Sequence, residues 1–132
     1  VLIDGHNVTA CDTPLWAAAG KSITTIEGLG SIDAPNVLQQ AFIAEQAAQC
    51  GYCVSGIIMT ATALLKRNPH PDEAEIKKAL ERNLCRCGTH TRIIKAIQRA
   101  ATALSGTARG LDRGEATRLR EVRPAPRIPA GN

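Results

Sequence analysis

Four of the five cysteines in this 132-residue chain fall in two tight pairs, Cys50-Gly51-Tyr52-Cys53 and Cys85-Arg86-Cys87, with thirty-one residues between them. No other feature constrains the fold as much, because a joint use for four thiols requires the intervening chain to bring both pairs back together. A secreted disulfide framework fits poorly. The cysteine count is odd, with Cys11 left over, and two cysteines one residue apart rarely meet bridge geometry. The pairs read as ligands rather than staples.

The chain around them has a helical period. Pro35 suits the first turn of a helix, and Leu38, Ala41, Phe42 and Ala48 follow at helical spacing, predicting a helix that ends near Gln49. A second helix runs from about Val54 to Arg67, apolar at Ile57, Ile58, Ala61, Leu64 and Leu65. Asn68-Pro69-His70-Pro71 stops it, since neither proline can continue it. Asp72 with Glu75 has capping-box spacing and opens a third helix with the apolar stripe Ile76, Leu80 and Leu84. A fourth, from about Thr91 to Leu104, would bury Ile93, Ile97, Ala100 and Leu104. Four helices on short connections make a bundle. Each cysteine pair lies at a junction between two helices, and folding can bring both junctions to one end. Helix N-termini there would offer N–H groups and positive dipole ends to thiolates. Gly51, Gly56 and Gly88 would leave space for backbone to approach sulfur. Tyr52 is expected to pack beside the site, and Met59 to fill the core.

The flanks differ. Residues 1–30 read as β and loop: Val1-Leu2-Ile3, a turn at Asp4-Gly5-His6-Asn7, a second strand at Val8-Thr9-Ala10-Cys11, and a third at Ile23-Thr24-Thr25-Ile26. So few apolar positions make a poor independent fold. Residues 106–132 read as a flexible basic tail, with six Arg against three acids, whereas residues 1–105 carry ten Lys/Arg against nine acids. The expected division is therefore 1–30, 31–105 and 106–132. Trp16, Phe42 and Tyr52 are the only aromatic residues, so the core is built from Ala, Ile, Leu and Val. Scarce aromatics and the lack of a basic helix face exclude a nucleic-acid partner, and no apolar run approaches the roughly 20 residues of a membrane span. The chain opens at Val1 inside a strand, which reads as an N-terminal truncation.

Three uses of the four thiols follow from spacing. A [2Fe-2S] cluster takes four thiolates. A structural zinc ion does too, although its pairs usually have two to four residues between the cysteines. A redox dithiol is the third. His6, His70 and His90 match no metal spacing with one another.

Gln49-Cys50-Gly51-Tyr52-Cys53, followed by Gly56 and Met59, and then Asn83-Leu84-Cys85-Arg86-Cys87-Gly88-Thr89, resembles the second [2Fe-2S] domain of the xanthine oxidase (molybdenum hydroxylase) family. Ile23-Thr24-Thr25-Ile26-Glu27-Gly28-Leu29 is similar to the end of that family's plant-type ferredoxin domain. The resemblance covers residues 1 to about 104. It implies a mainly α fold, a four-helix [2Fe-2S]-binding bundle preceded by the remnant of a β-grasp ferredoxin domain.

The resemblance also implies roles. Cys50, Cys53, Cys85 and Cys87 would hold the cluster. Cys87, through its sulfur, and Gln49, through a hydrogen bond, would contact the pterin of a molybdopterin cofactor held by a large partner subunit. By its position between two of these cysteines, and not by the resemblance, Arg86 reads either as a charge that stabilises the reduced cluster or as a plain surface arginine. Cys11 would be a ligand orphaned from a first cluster whose three other cysteines are absent. Electrons would pass from molybdenum through this cluster and the ferredoxin cluster to an FAD or haem (cytochrome) subunit. The run from Gln39 to Cys53, with Cys87-Gly88-Thr89-His90, looks closest to nicotinate dehydrogenase small subunits, with isoquinoline and aldehyde oxidoreductases as near competitors. No motif for a substrate pocket or a proton-transfer catalyst is present, so no catalytic residue is expected. The expected setting is cytoplasmic, with the periplasm as the alternative. In a different class, the chain would be a zinc-stabilised, non-enzymatic interaction domain.

Overall fold

The computed structural model describes residues 1–110. The segment read as a tail lies outside the described residues from position 111 onward.

The chain begins with a small sheet. β1 (Leu2–Ile3) pairs antiparallel with β2 (His6–Asn7) across the two-residue turn Asp4-Gly5, in the register Leu2↔Asn7 and Ile3↔His6. β1 also pairs antiparallel with β3 (Ile23–Thr24), giving the order β2-β1-β3. The second strand is thus His6–Asn7 and not Val8–Cys11. A two-residue turn already places His6 opposite Ile3, so pairing runs out when the Val8 N–H reaches the Val1 carbonyl at 3.0 Å. The chain then enters a 3-10 turn, Ala10–Asp12, where Cys11 is exposed.

Helix α1 (Val37–Ala44) starts on a capping box. The Asn36 side chain accepts from the Gln39 N–H, and the Gln39 side chain accepts from the Asn36 N–H, both at 2.8 Å. Pro35 therefore precedes the cap instead of occupying the first turn. The helix also ends at Ala44, five residues short of Gln49. Gln46 takes a left-handed φ of 47°, the Ala47 N–H bonds the Phe42 carbonyl at 3.0 Å, and the Gln46 N–H bonds the Ile43 carbonyl at 3.1 Å. This is a Schellman ending built on glutamine, where glycine is usual. Ala47 turns into the core and Ala48 is exposed, the reverse of the expected stripe.

Helix α2 (Val54–Arg67) spans the expected residues, and every side chain from Ile57 to Leu65 is buried. A helix covered on all sides must satisfy its own polar groups. The Thr60 and Thr62 hydroxyls donate back to the Gly56 and Ile58 carbonyls at 3.0 and 2.8 Å. The sheet docks on it through Asn7, whose Nδ2 donates to Thr60 Oγ1 at 2.9 Å. Helix α3 (Glu73–Ala79) carries the expected Asp72/Glu75 capping box. It stops before Leu84, which is 78% exposed and so belongs to no stripe.

Helix α4 (His90–Gly110) buries Ile93, Ala96, Ile97, Ala100 and Ala101 against α1 and α3. Fully burying Ile93 or Ile97 contributes roughly 1.5–3 kcal/mol each. Arg99 reaches back to Glu45 at 2.8 Å, and Arg92 Nη1 donates to the Gln46 carbonyl at 3.4 Å. Both ties fix the end of α1 against α4. One core joins Leu2 of the sheet to Phe42, Ile57, Ile76, Ile93 and Ile97 of the helices. The protein is mostly helical, and among the described residues no helix is long and apolar enough to cross a membrane.

Candidate metal centre

The chain between α1 and α2 carries the first cysteine pair. Gly51, at φ 84°, turns the backbone so that its carbonyl accepts from the Val54 N–H at 3.2 Å, and Cys53 becomes the N-cap of α2. The second pair is built alike. Gly88, at φ 73°, donates its N–H to the Cys85 carbonyl at 3.1 Å, immediately before α4 begins. No atom lies within 4 Å of where a Cβ would sit on either glycine. Both glycines thus supply the left-handed backbone that each turn needs. Gly56 has only an ordinary contact, to Asn83.

The two pairs come together at one end of the helices, each thiol meeting one from the other junction. Cys50 interacts with Cys87, and Cys53 with Cys85. Cys85 is buried, Cys53 half-buried, and Cys50 and Cys87 are exposed, so the quartet has an inner and an outer side. Among the described residues no group of three or more His, Cys, Asp or Glu is placed to hold a single metal ion.

The inner thiols differ electrostatically. The Thr89 hydroxyl, aided by the Thr89 N–H and Cys53, pulls Cys85 down to about 7. Burial, reinforced by the neighbouring Cys85, pushes Cys53 up to about 11. On the outer side, the Tyr52 N–H and then Cys87 lower Cys50. The quartet can thus present thiolate at neutral pH, with Cys53 donating to its partner.

Thr89 had no role assigned from sequence. Its hydroxyl lies 3.3 Å from Cys85 Sγ and donates to the Ala47 carbonyl at 2.9 Å, while its own carbonyl accepts from the Ile93 N–H as α4 starts. A threonine just before an apolar helical run is an N-cap signal. What sequence could not show was Ala47, forty-two positions away. Gln49 is exposed beside Cys50. Tyr52, expected to pack beside the site, is 96% exposed, because the turn at Gly51 aims it outward. Arg86 and His90 are exposed as well, Met59 is in the core, and His70 bonds Ser105.

Residues 25–98 match the family described as the [2Fe-2S] binding domain. This chain belongs to that family. The match begins just after β3, takes in α1, α2 and α3, ends within the first half of α4 and includes both cysteine pairs. A nicotinate dehydrogenase subunit from Pseudomonas putida is 59% identical over 101 residues, which is 76% of this chain and 64% of that protein. The alpha subunit of isoquinoline 1-oxidoreductase from Brevundimonas diminuta is 55% identical over 101 residues, 76% of this chain and 66% of that protein. The chain therefore spans slightly less than two thirds of the length of these relatives. Among solved structures, quinoline 2-oxidoreductase from Pseudomonas putida 86 superposes with a TM-score of 0.73 at 40% identity, covering 83% of this chain and 67% of that one.

Proposed function

We propose that Cys50, Cys53, Cys85 and Cys87 hold one [2Fe-2S] cluster, and that the chain is the electron-transfer iron–sulfur subunit of a molybdenum hydroxylase. The observation that carries this reading is the convergence of the four thiols from two helix junctions, with Cys50 beside Cys87 and Cys53 beside Cys85. Two pairs suit two irons with two thiolates each, and the donor set is all sulfur, as such a cluster requires. When bound, the cluster accepts and releases one electron at a time. The protein positions it and tunes its potential through Thr89 and the N–H groups of Tyr52 and Cys87.

The exposed side, formed by Gln49, Cys50 and Cys87, is where a molybdopterin-binding large subunit would dock, with Gln49 and Cys87 facing its cofactor. Onward transfer to a second cluster and an FAD or cytochrome subunit belongs to the same proposal. So does an N-heteroaromatic substrate such as nicotinate, supported by the name of the 59% identical relative. The 55% identical isoquinoline relative supports the neighbouring substrate class. The antiparallel sheet and Ile23–Gly28 stand as the remnant of a β-grasp ferredoxin domain, followed by a helical domain over 31–105 and a basic tail. Five free thiols suit a reducing, cytoplasmic setting.

Iron and acid-labile sulfide analysis of anaerobically reconstituted chain tests the reading. The expected result is about two irons per chain with one reduced EPR signal, because Cys11 stands alone. Zinc without sulfide would establish the interaction-domain alternative instead, and about four irons with two signals would refute the single cluster.

A further inference from the structure

Cys85 is the one buried thiol of the four, so solvent contributes little to its hydrogen bonding. The hydroxyl nearest it belongs to Thr89, itself buried, with Oγ1 3.3 Å from Sγ. That hydroxyl has one proton and two claimants, the sulfur and the Ala47 carbonyl at 2.9 Å. While Cys85 is a thiol there is no conflict: S–H donates to Oγ1, and O–H donates to Ala47. Once the sulfur is a thiolate or a metal ligand it can only accept, and a hydroxyl still turned toward Ala47 would face it with a lone pair. Ala47 is fully buried and held in place by its own N–H on Phe42, so its carbonyl cannot swing away.

We infer that Thr89 is a positioning residue of the cysteine centre, whose hydroxyl proton is shared between the Ala47 carbonyl and the Cys85 sulfur and turns toward sulfur as the centre becomes more negative. The O–H bond does not break. Rotation about Cβ–Oγ1 transfers the donation, and Ala47 gives up its donor in the reduced state. Because charge-assisted hydrogen bonds are the stronger ones, the contact stabilises the reduced form more than the oxidised form and raises the midpoint potential. Thr89 also ties the second cysteine junction to the segment leading to the first, forty-two positions earlier in the chain. The Thr89 and Cys87 N–H groups also lower the Cys85 thiol.

This inference rests on the cluster reading, and wild-type loading separates the two: if wild type takes up no iron and sulfide, the reading itself fails. With wild type loaded, the experiment is a potentiometric titration followed by EPR on the reconstituted full chain, comparing wild type with Thr89→Val and Thr89→Ser. Valine keeps the shape and removes the hydroxyl, whereas serine keeps the hydroxyl. The expected result for Thr89→Val is a more negative midpoint, by about a tenfold change in the oxidised-to-reduced ratio at fixed potential (about 59 mV for one electron). Thr89→Ser is expected to return to the wild-type value. If Thr89→Val folds by circular dichroism yet fails to load while Thr89→Ser loads, the hydroxyl is required, and the inference stands. An unchanged midpoint in Thr89→Val overturns it. So does a Thr89→Ser variant that shifts or fails to load as Thr89→Val does, because the methyl group would then be what matters.

Discussion

Tyr52 and Cys85 mark the two sides of the site. One side chain at 96% exposure and another at 6% sit on junctions that meet at the same point, so the centre lies half within the protein and half at its surface. This gives the cysteines unequal surroundings but equal necessity. Replacing Cys50, Cys53, Cys85 or Cys87 by alanine is expected to abolish or greatly destabilise the cluster, since in the proposed ligand set each thiolate completes the coordination of an iron. Cys11→Ala, in its exposed 3-10 turn, is expected to leave it intact. Visible absorption and iron content of the five variants check both statements, and a cluster that survives loss of Cys87 would refute the ligand set. The cysteine quartet was legible in the sequence because ligand spacing is a local property. The Thr89–Ala47 contact was not, since nothing in either residue's neighbourhood announces a partner forty-two positions away. Tyr52 was misplaced for a related reason: its direction depends on the left-handed Gly51 before it, whereas its composition alone suggests burial.

Among the elements, α2 and the start of α3 were readable to the residue, because prolines and a capping box punctuate the chain there. The end of α1 was not. Its stop lies at Gln46, a residue with no reputation for left-handed backbone, and a periodic pattern with Ala48 in phase carried the expected helix past it. Tertiary contacts decide the matter, with Arg92 on the Gln46 carbonyl and Arg99 on Glu45. Leu84 fails for the mirror reason: α3 ends at Ala79, so a residue eight positions beyond Ile76 no longer shares its face. Caps, by contrast, act locally and have a predictable cost. Asp72→Ala removes the acceptor for the Glu75 N–H, a 2.7 Å bond, and is expected to destabilise the chain by about 1 kcal/mol. Urea denaturation of the apo chain measures this. An unchanged midpoint would mean that packing of Ile76 alone sets the helix start.

For the molecule as a whole, stability is expected to be uneven. The sheet consists of two-residue strands joined to the helices through Leu2 and the Asn7–Thr60 bond, whereas α2 and α4 bury long continuous faces. Backbone amides in residues 1–30 are expected to exchange with solvent roughly tenfold or more faster than those in the middle of α2 and α4. Hydrogen exchange followed by mass spectrometry checks this, and equal protection would show that the sheet is part of the same cooperative unit.

The crosswise pairing of the thiols has a consequence in time. In the proposed site, the four sulfurs come from both sides of a thirty-one-residue stretch, with Cys50 beside Cys87 and Cys53 beside Cys85. A nascent chain that has emerged only as far as α2 holds two of these four thiols. If these four thiols are the ligand set, metal delivery would wait until α3 has docked and α4 has begun, and cofactor insertion would fall late in the folding of this domain. An iron donor would meet a receptacle that is already assembled, and a chain arrested before Cys85 would be passed over.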